Sequence, residues 1–205
     1  MRYIAIVDYG AGNLMSVHNS LDFLGYDNQI ATTPEQIEQA VGVILPGVGA
    51  FPDAMDALAQ SGLLQAVLDA AYKKPFLGIC LGMQMLFEQS EEVRPCKGLG
   101  LLRGTIRRIQ TDYKLPQIGW NSLQILRPNA MTAGLKDGDS VYFVHSFAAC
   151  PDDPNDLACV TDYGVQVPAM VASGNLFGCQ FHPEKSGEVG LTMLKNFAAL
   201  TEETV

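Results

Sequence analysis

The sequence predicts an α/β protein in three layers, a mostly parallel sheet with flanking helices and a partly antiparallel second half. Three observations carry this. Up to residue 80, short β-branched runs alternate with stretches of helical period, the pattern of βαβ units. Beyond residue 100, strand-like runs succeed one another with few helices between them. No repeat, low-complexity tract or linker interrupts the 205 residues, so a single domain spanning 1–205 is expected.

The elements follow in order. YIAIV is a short strand that meets Asp8 too soon to be a secretory signal. NLMSVHNSLDFL sets Leu14, Val17, Leu21 and Leu24 on one helical stripe. VGVIL is a second strand, a helix near residues 53–71 comes next, and PFLGI is a third strand. In such a sheet ligands collect at the carboxyl ends of the strands. LLRGTIRRI, WNSLQIL, SVYFVHSF, DLACVT, VPAMVAS and LFGCQF read as the strands of the second half, and GEVGLTMLKNFAAL closes the chain as a helix.

Composition narrows the function. A formal net charge of −9 argues against nucleic acid as the main partner, because binding a polyanion needs a basic face. Arg94, Lys97, Arg103, Arg107 and Arg108 form a local basic stretch, read as the solvated face of a strand. No apolar run approaches the roughly 18 residues of a membrane span, so a cytoplasmic protein is expected. The five cysteines are scattered, with no paired spacing and no histidine at metal-ligand distance, so neither a disulfide framework nor a metal site is expected. Cys96, Cys150, Cys159 and Cys179 read as small apolar fillers.

Cys80 is different. GICLG places it between two glycines where a strand gives way to a helix, the form of a nucleophile elbow. The helix N-terminus would then face the sulfur and favour the thiolate. A buried core cysteine is the other reading of that motif alone. CQFHPEKSG adds a second piece. The proline after His182 pushes it into extended backbone, where residues two apart share a side, so Glu184 can hold one ring nitrogen and leave the other as base to a thiol. His18, in a helix, reads as a boundary residue, and His145 can line the cleft but has no carboxylate near it in sequence. LPGVGAF is the third piece: Gly47, Val48 and Gly49 end a strand on the same sheet edge, where bare backbone N–H groups could hold an oxyanion together with the amide of Leu81. Gln84, one helical turn after Cys80, can reach the pocket with an amide suited to the charged ends of an amino acid.

PGVG, GICLGMQ and FHPE together resemble the class I glutamine amidotransferases, over nearly the whole chain. Within that family DYGAGNLMSV, PGVGAFPDAM, GICLGMQMLFEQSEE, PQIGWN, YFVHSF and QFHPEKSG are similar to the branch that supplies ammonia for imidazole glycerol phosphate synthesis in the histidine pathway. The resemblance implies that Cys80, His182 and Glu184 hydrolyse glutamine to glutamate and ammonia, with no cofactor or metal. It implies that His145, Ser146 and Phe147 join Gln84 beside the substrate; Phe147 departs from the tyrosine more usual there and offers no hydroxyl. It implies as partner a (β/α)₈ barrel synthase, with Asn13, Trp120, Asn121 and Lys185 at the interface. Trp120 reads equally as core. Neither GxxxxGK[ST] nor GxGxxG occurs, which agrees with a nucleotide bound elsewhere. The glycines of PGVG let a peptide plane turn, so the lone subunit is expected to be slow until its partner binds. A glutaminase serving another synthase, such as pyridoxal phosphate synthase, a stand-alone cysteine hydrolase of γ-glutamyl or peptide substrates, and a silent binding module are the alternatives.

Overall fold

A computed structural model describes residues 2–203. In chain order the first part comprises β1 (Ile4–Val7), α1 (Leu14–Phe23), β2 (Asn28–Ala31), α2 (Pro34–Gln39), β3 (Gly42–Gly47), α3 (Phe51–Gln60), α4 (Leu64–Lys73), β4 (Phe76–Cys80) and α5 (Leu81–Met85). The second part comprises β5 (Phe87–Ser90), β6 (Cys96–Lys97), β7 (Leu102–Arg108), β8 (Gln117–Ile125), β9 (Ser140–His145) and β10 (Phe147–Pro151). It ends with β11 (Leu157–Asp162), β12 (Gln166–Ser173), β13 (Leu176–Cys179) and α6 (Gly187–Glu203).

The main sheet runs β2-β1-β3-β4-β13-β12-β11-β8-β9. Pairing is parallel from β2 to β13 and antiparallel from β13 to β9. Alternation explains why β1, β3, β4 and β13 are apolar throughout. Ile4 and Ile6 face a core shared with Val17 and Leu21 of α1 and Leu194 and Phe197 of α6. Ala5 and Val7 face the opposite core with Ile37, Leu58 and Val67 of α2, α3 and α4. Both faces of these four strands are covered and every residue in them is buried, whereas the edge strand β2 is mostly half-buried. A second sheet, β10-β7-β5-β6, packs its Phe87, Leu102, Ile106 and Ala149 into the latter core.

The structure corrects several expectations. The helix near 53–71 is two helices, because Gly62 at φ 78° turns the chain between α3 and α4. The pair β2 and α2 was passed over, although Thr33, Pro34 and Gln36 form a capping box with proline in the first turn. The helix after Cys80 lasts only five residues before Phe87–Ser90 joins β7 as a strand. SVYFVHSF splits at Ser146, its front half in the main sheet and its back half in the small one. Cys159 and Cys179 are buried fillers, whereas Cys96 is half-buried and Cys150 is exposed on edge strand β10. Arg103, Arg107 and Arg108 of β7 are exposed, the adjacent Arg107 and Arg108 on opposite faces, and Arg107 pairs with Glu91 at 3.2 Å. Among the described residues no helix is long and apolar enough to cross a membrane, and no group of His, Cys, Asp and Glu side chains could hold a metal.

Candidate active site

β4 lies between β3 and β13 with all three parallel, so the loops at their carboxyl ends meet. Gly47 pairs with Cys80, and Cys179 with Ile79. The strand order therefore brings PGVGAF, the cysteine turn and QFHPEK to one place. Cys80 ends β4 with φ 55° and ψ −112°, and only it and Val93 have positive φ among the described non-glycine residues. Holding a side chain there costs on the order of 1–3 kcal/mol. The flanking glycines have a different purpose from the one the sequence suggests. Neither Gly78 nor Gly82 has positive φ; a Cβ on Gly78 would meet the Gly82 carbonyl at 2.7 Å, and one on Gly82 would run into the Leu45 carbonyl. The sharp turn is borne by Cys80 itself, and the glycines let β3, β4 and α5 close around it.

His182 begins a 3₁₀ turn over Pro183–Lys185. Its N–H donates to the Tyr142 carbonyl at 3.0 Å, and the Ser186 hydroxyl donates to its carbonyl at 2.6 Å. This fixes the backbone of a ring that is itself buried. Its Nδ1 lies 2.8 Å from Glu184 Oε1, and both side chains are almost wholly enclosed. Burial alone would lower the His182 pKa, but the Cys80 thiol and Glu184 outweigh it and raise it to about 9. Nε2 is buried and makes no hydrogen bond, so the ring edge not held by Glu184 is free to exchange a proton with the sulfur.

A cavity of about 310 Å³ opens onto Cys80 and His182. Of the residues expected around it, Val48, Gly49, Leu81 and Gln84 line one side and His145, Ser146 and Phe147 the other. Gly47 does not reach the wall; it packs under Tyr9 and Gly82, where a Cβ would meet the Tyr9 hydroxyl at 2.7 Å. Gly49 has φ 104°, which keeps that loop's backbone accessible, and Leu81, as the first residue of α5, has an N–H with no partner inside the helix. Phe147 contributes its carbonyl, which accepts from Gln84 Nε2 at 3.0 Å and from His145 Nδ1 at 2.8 Å. Burial pushes the His145 pKa down to about 4, against the pull of the Phe147 carbonyl and aided by the charge of His182. His145 is therefore neutral near pH 7, with its proton on Nδ1 and a buried, unpartnered Nε2.

Three residues of the site were not foreseen. Gln180 is buried, accepts from Gln84 Nε2 at 2.9 Å and points its own Nε2 at the Cys80 sulfur at 3.8 Å. The two-residue period that links His182 to Glu184 reaches Gln180 in the other direction. Glu92 lines the cavity and accepts the Phe51 N–H at 2.9 Å, so it caps α3 as it faces the pocket. Nothing in its local sequence marks it. Tyr9, just past the end of β1, donates to the Pro46 carbonyl at 3.0 Å, and burial followed by the Cys80 charge raises its pKa.

The four residues expected at an interface divide. Trp120 is 57% exposed and Lys185 is exposed, so Trp120 is not core. Asn121 donates to the Asp162 carbonyl and accepts from Gln117, and Asn13 donates to Glu184 at 3.2 Å. The amides of both asparagines are engaged within the chain.

The model of the family described as Glutamine amidotransferase class-I matches residues 5–200. The chain belongs to that family. An imidazole glycerol phosphate synthase subunit HisH from Bacillus cereus (strain G9842) is 52% identical over 203 residues, covering 97% of this chain and 95% of the relative. A protein of the same name from Bacillus anthracis (strain A0248) is 50% identical over 201 residues, with the same coverage. The solved structure of PurLQS from Thermotoga maritima superposes with a TM-score of 0.76 at 20% identity over 96% of each chain. At that identity it speaks for the class-I amidotransferase fold alone: a large, mostly parallel sheet with flanking helices.

Proposed function

We propose that this chain is the glutaminase subunit of an imidazole glycerol phosphate synthase, hydrolysing glutamine to glutamate and ammonia for histidine biosynthesis in the cytoplasm. Cys80 and His182 meeting at one cavity, with Glu184 bonded to the imidazole behind it, carries the reading, and the 52% identity to a HisH protein gives it its pathway. His182, oriented by Glu184, takes the thiol proton, and the thiolate attacks the side-chain amide carbon of glutamine. Negative charge moves to the carbonyl oxygen, where the backbone N–H groups of Gly49 and Leu81 receive it. His182 returns the proton to the departing nitrogen as the C–N bond breaks, leaving a glutamyl thioester and ammonia. Water then attacks the thioester, His182 accepts its proton and passes it to the sulfur, and glutamate leaves. The route calls on no metal or cofactor.

The cavity wall suits the substrate's other end. Both bonds that Gln84 donates are made within the protein, so it offers substrate only Oε1. That acceptor and the Glu92 carboxylate fit an α-ammonium group. Around the mouth lies an apolar face: Ile118 is 60% exposed, Trp120 stacks edge-on with Tyr142 at 6.1 Å, and Val144, paired with Ile118, also lines the cavity. Ammonia released into water is protonated and lost as a nucleophile, so a (β/α)₈ barrel synthase docked over that rim would receive it directly. The test is a glutaminase assay of wild type and Cys80→Ala, alone and with a barrel synthase and its nucleotide substrate. Hydrolysis abolished by the substitution and nitrogen delivered to the barrel product are expected. Hydrolysis that survives Cys80→Ala, or a barrel that receives no nitrogen, would overturn the reading.

A further inference from the structure

Asparagine is among the best helix N-caps because its side-chain oxygen accepts the free N–H groups of the first turn. Asn13 occupies the N-cap of α1 and makes no such bond. Its Oδ1 accepts the Ser16 hydroxyl at 2.9 Å, and its Nδ2 donates to Glu184 Oε1 at 3.2 Å, across 171 positions of sequence. An ionised carboxylate only accepts, so the NH₂ end of the amide must face Glu184, and the Ser16 hydroxyl holds the other end. The residue has given up a local bond for a distant one. Such a departure from the local rule marks a site with another duty.

That duty is visible at the acid. The Glu184 side chain is about as buried as any in the molecule, and its Oε2 has no hydrogen-bond partner. Among the described residues, only His182 and Asn13 bond to this carboxylate, both at Oε1. With the His182 bond alone the carboxylate could pivot about it; a second donor arriving from α1 fixes its plane. We propose that Asn13 is a positioning residue of the triad, holding Glu184 so that the acid in turn orients His182 toward Cys80. This rests on the proposed hydrolysis only for one of its two readouts. The chain Ser16, Asn13, Glu184, His182 also ties the imidazole to α1.

The test is Asn13→Ala in the full chain, measured first without any partner. Glutamine hydrolysis by the lone subunit is expected to lose about tenfold in kcat with KM unchanged, the mark of a misaligned catalytic group rather than lost binding. The melting temperature should hold, since no capping bond is removed. The second readout needs neither glutamine nor partner: alkylation of Cys80 by iodoacetamide against pH, followed at the Cys80 peptide by mass spectrometry. Its profile is expected to move to higher pH, because a poorly held Glu184 stabilises the imidazolium less and the thiolate with it. Unchanged kcat and profile in the lone subunit, with only partner binding weakened, would make Asn13 an interface residue and overturn the proposal. If Asn13→Ala fails to fold, Ser16→Ala, which frees the amide while leaving the residue, carries the test with a smaller shift in the same direction; no shift there overturns it. A wild type that hydrolyses no glutamine even with the barrel synthase and its nucleotide substrate would refute the functional reading, while the alkylation profile would still decide the role of Asn13.

Discussion

Strands β4 and β8 belong to one sheet and are built on opposite principles. β4 is buried on both faces, and its one glycine, Gly78, stands where a single methyl group would strike a neighbouring backbone. β8 alternates, with Gln117 and Leu123 inward and Ile118 and Trp120 turned to solvent. In the parallel half, lack of room holds the nucleophile in a conformation it would not choose. In the antiparallel half, a face is left open that nothing among the described residues covers. Close packing is concentrated around Cys80, and exposed apolar surface on β8.

Cys80→Gly sharpens the first side of that contrast and has the largest expected effect. Hydrolysis should fall by at least about 10³-fold, because the nucleophile is gone. Stability should rise by about 1 kcal/mol in chemical denaturation, since glycine adopts φ 55° without strain. A variant less stable than wild type would show that the elbow stores no strain.

The edge between the two regions is expected to respond to acid. His145 closes β9 and faces the cavity, and burial depresses its pKa from 6.5 to about 4. A base whose folded pKa is depressed contributes stability that is fully present above pH 6.5 and is lost as pH falls through 4. The shift corresponds to about 3 kcal/mol over that window. His145→Leu should therefore lose less stability than wild type between about pH 7 and about pH 4.5 in denaturant titrations. Parallel curves for the two proteins would mean that His145 takes up its proton without penalty. The raised pKa of His182 has the opposite sign: its contribution is present below pH 6.5 and lost as pH rises through 9.

The same contrast explains what could be read from the sequence. Cys80, His182 and Glu184 were legible because short-range geometry determines them: a strand end, a proline, a two-residue period. The apolar runs of β1, β3 and β4 were legible because a doubly covered sheet tolerates nothing else. Glu92 was not, because its place in the cavity depends on the path of β5 and on the N-terminus of α3, 41 residues away. The split at Ser146 was hidden because both halves of SVYFVHSF carry strand propensity and only pairing with β7 decides where the second goes. Asn13 was legible only as an interface residue implied by the resemblance, and its bond to Glu184 spans 171 positions, beyond the reach of any local pattern.

Trp120→Ala tests the open face and has the smallest expected effect. Trp120 keeps over half its surface exposed, and its one ring contact is with Tyr142. Removing it should leave the melting temperature of the subunit unchanged, because little burial is lost. Against a barrel synthase the same change should weaken binding by about 1–2 kcal/mol, roughly five- to thirtyfold in Kd, if the indole anchors the partner. Titration calorimetry with Ile118→Ala alongside separates an anchor from a general apolar contact: two equal small losses would spread the docking energy over the face, whereas a loss confined to Trp120 would place it at the indole.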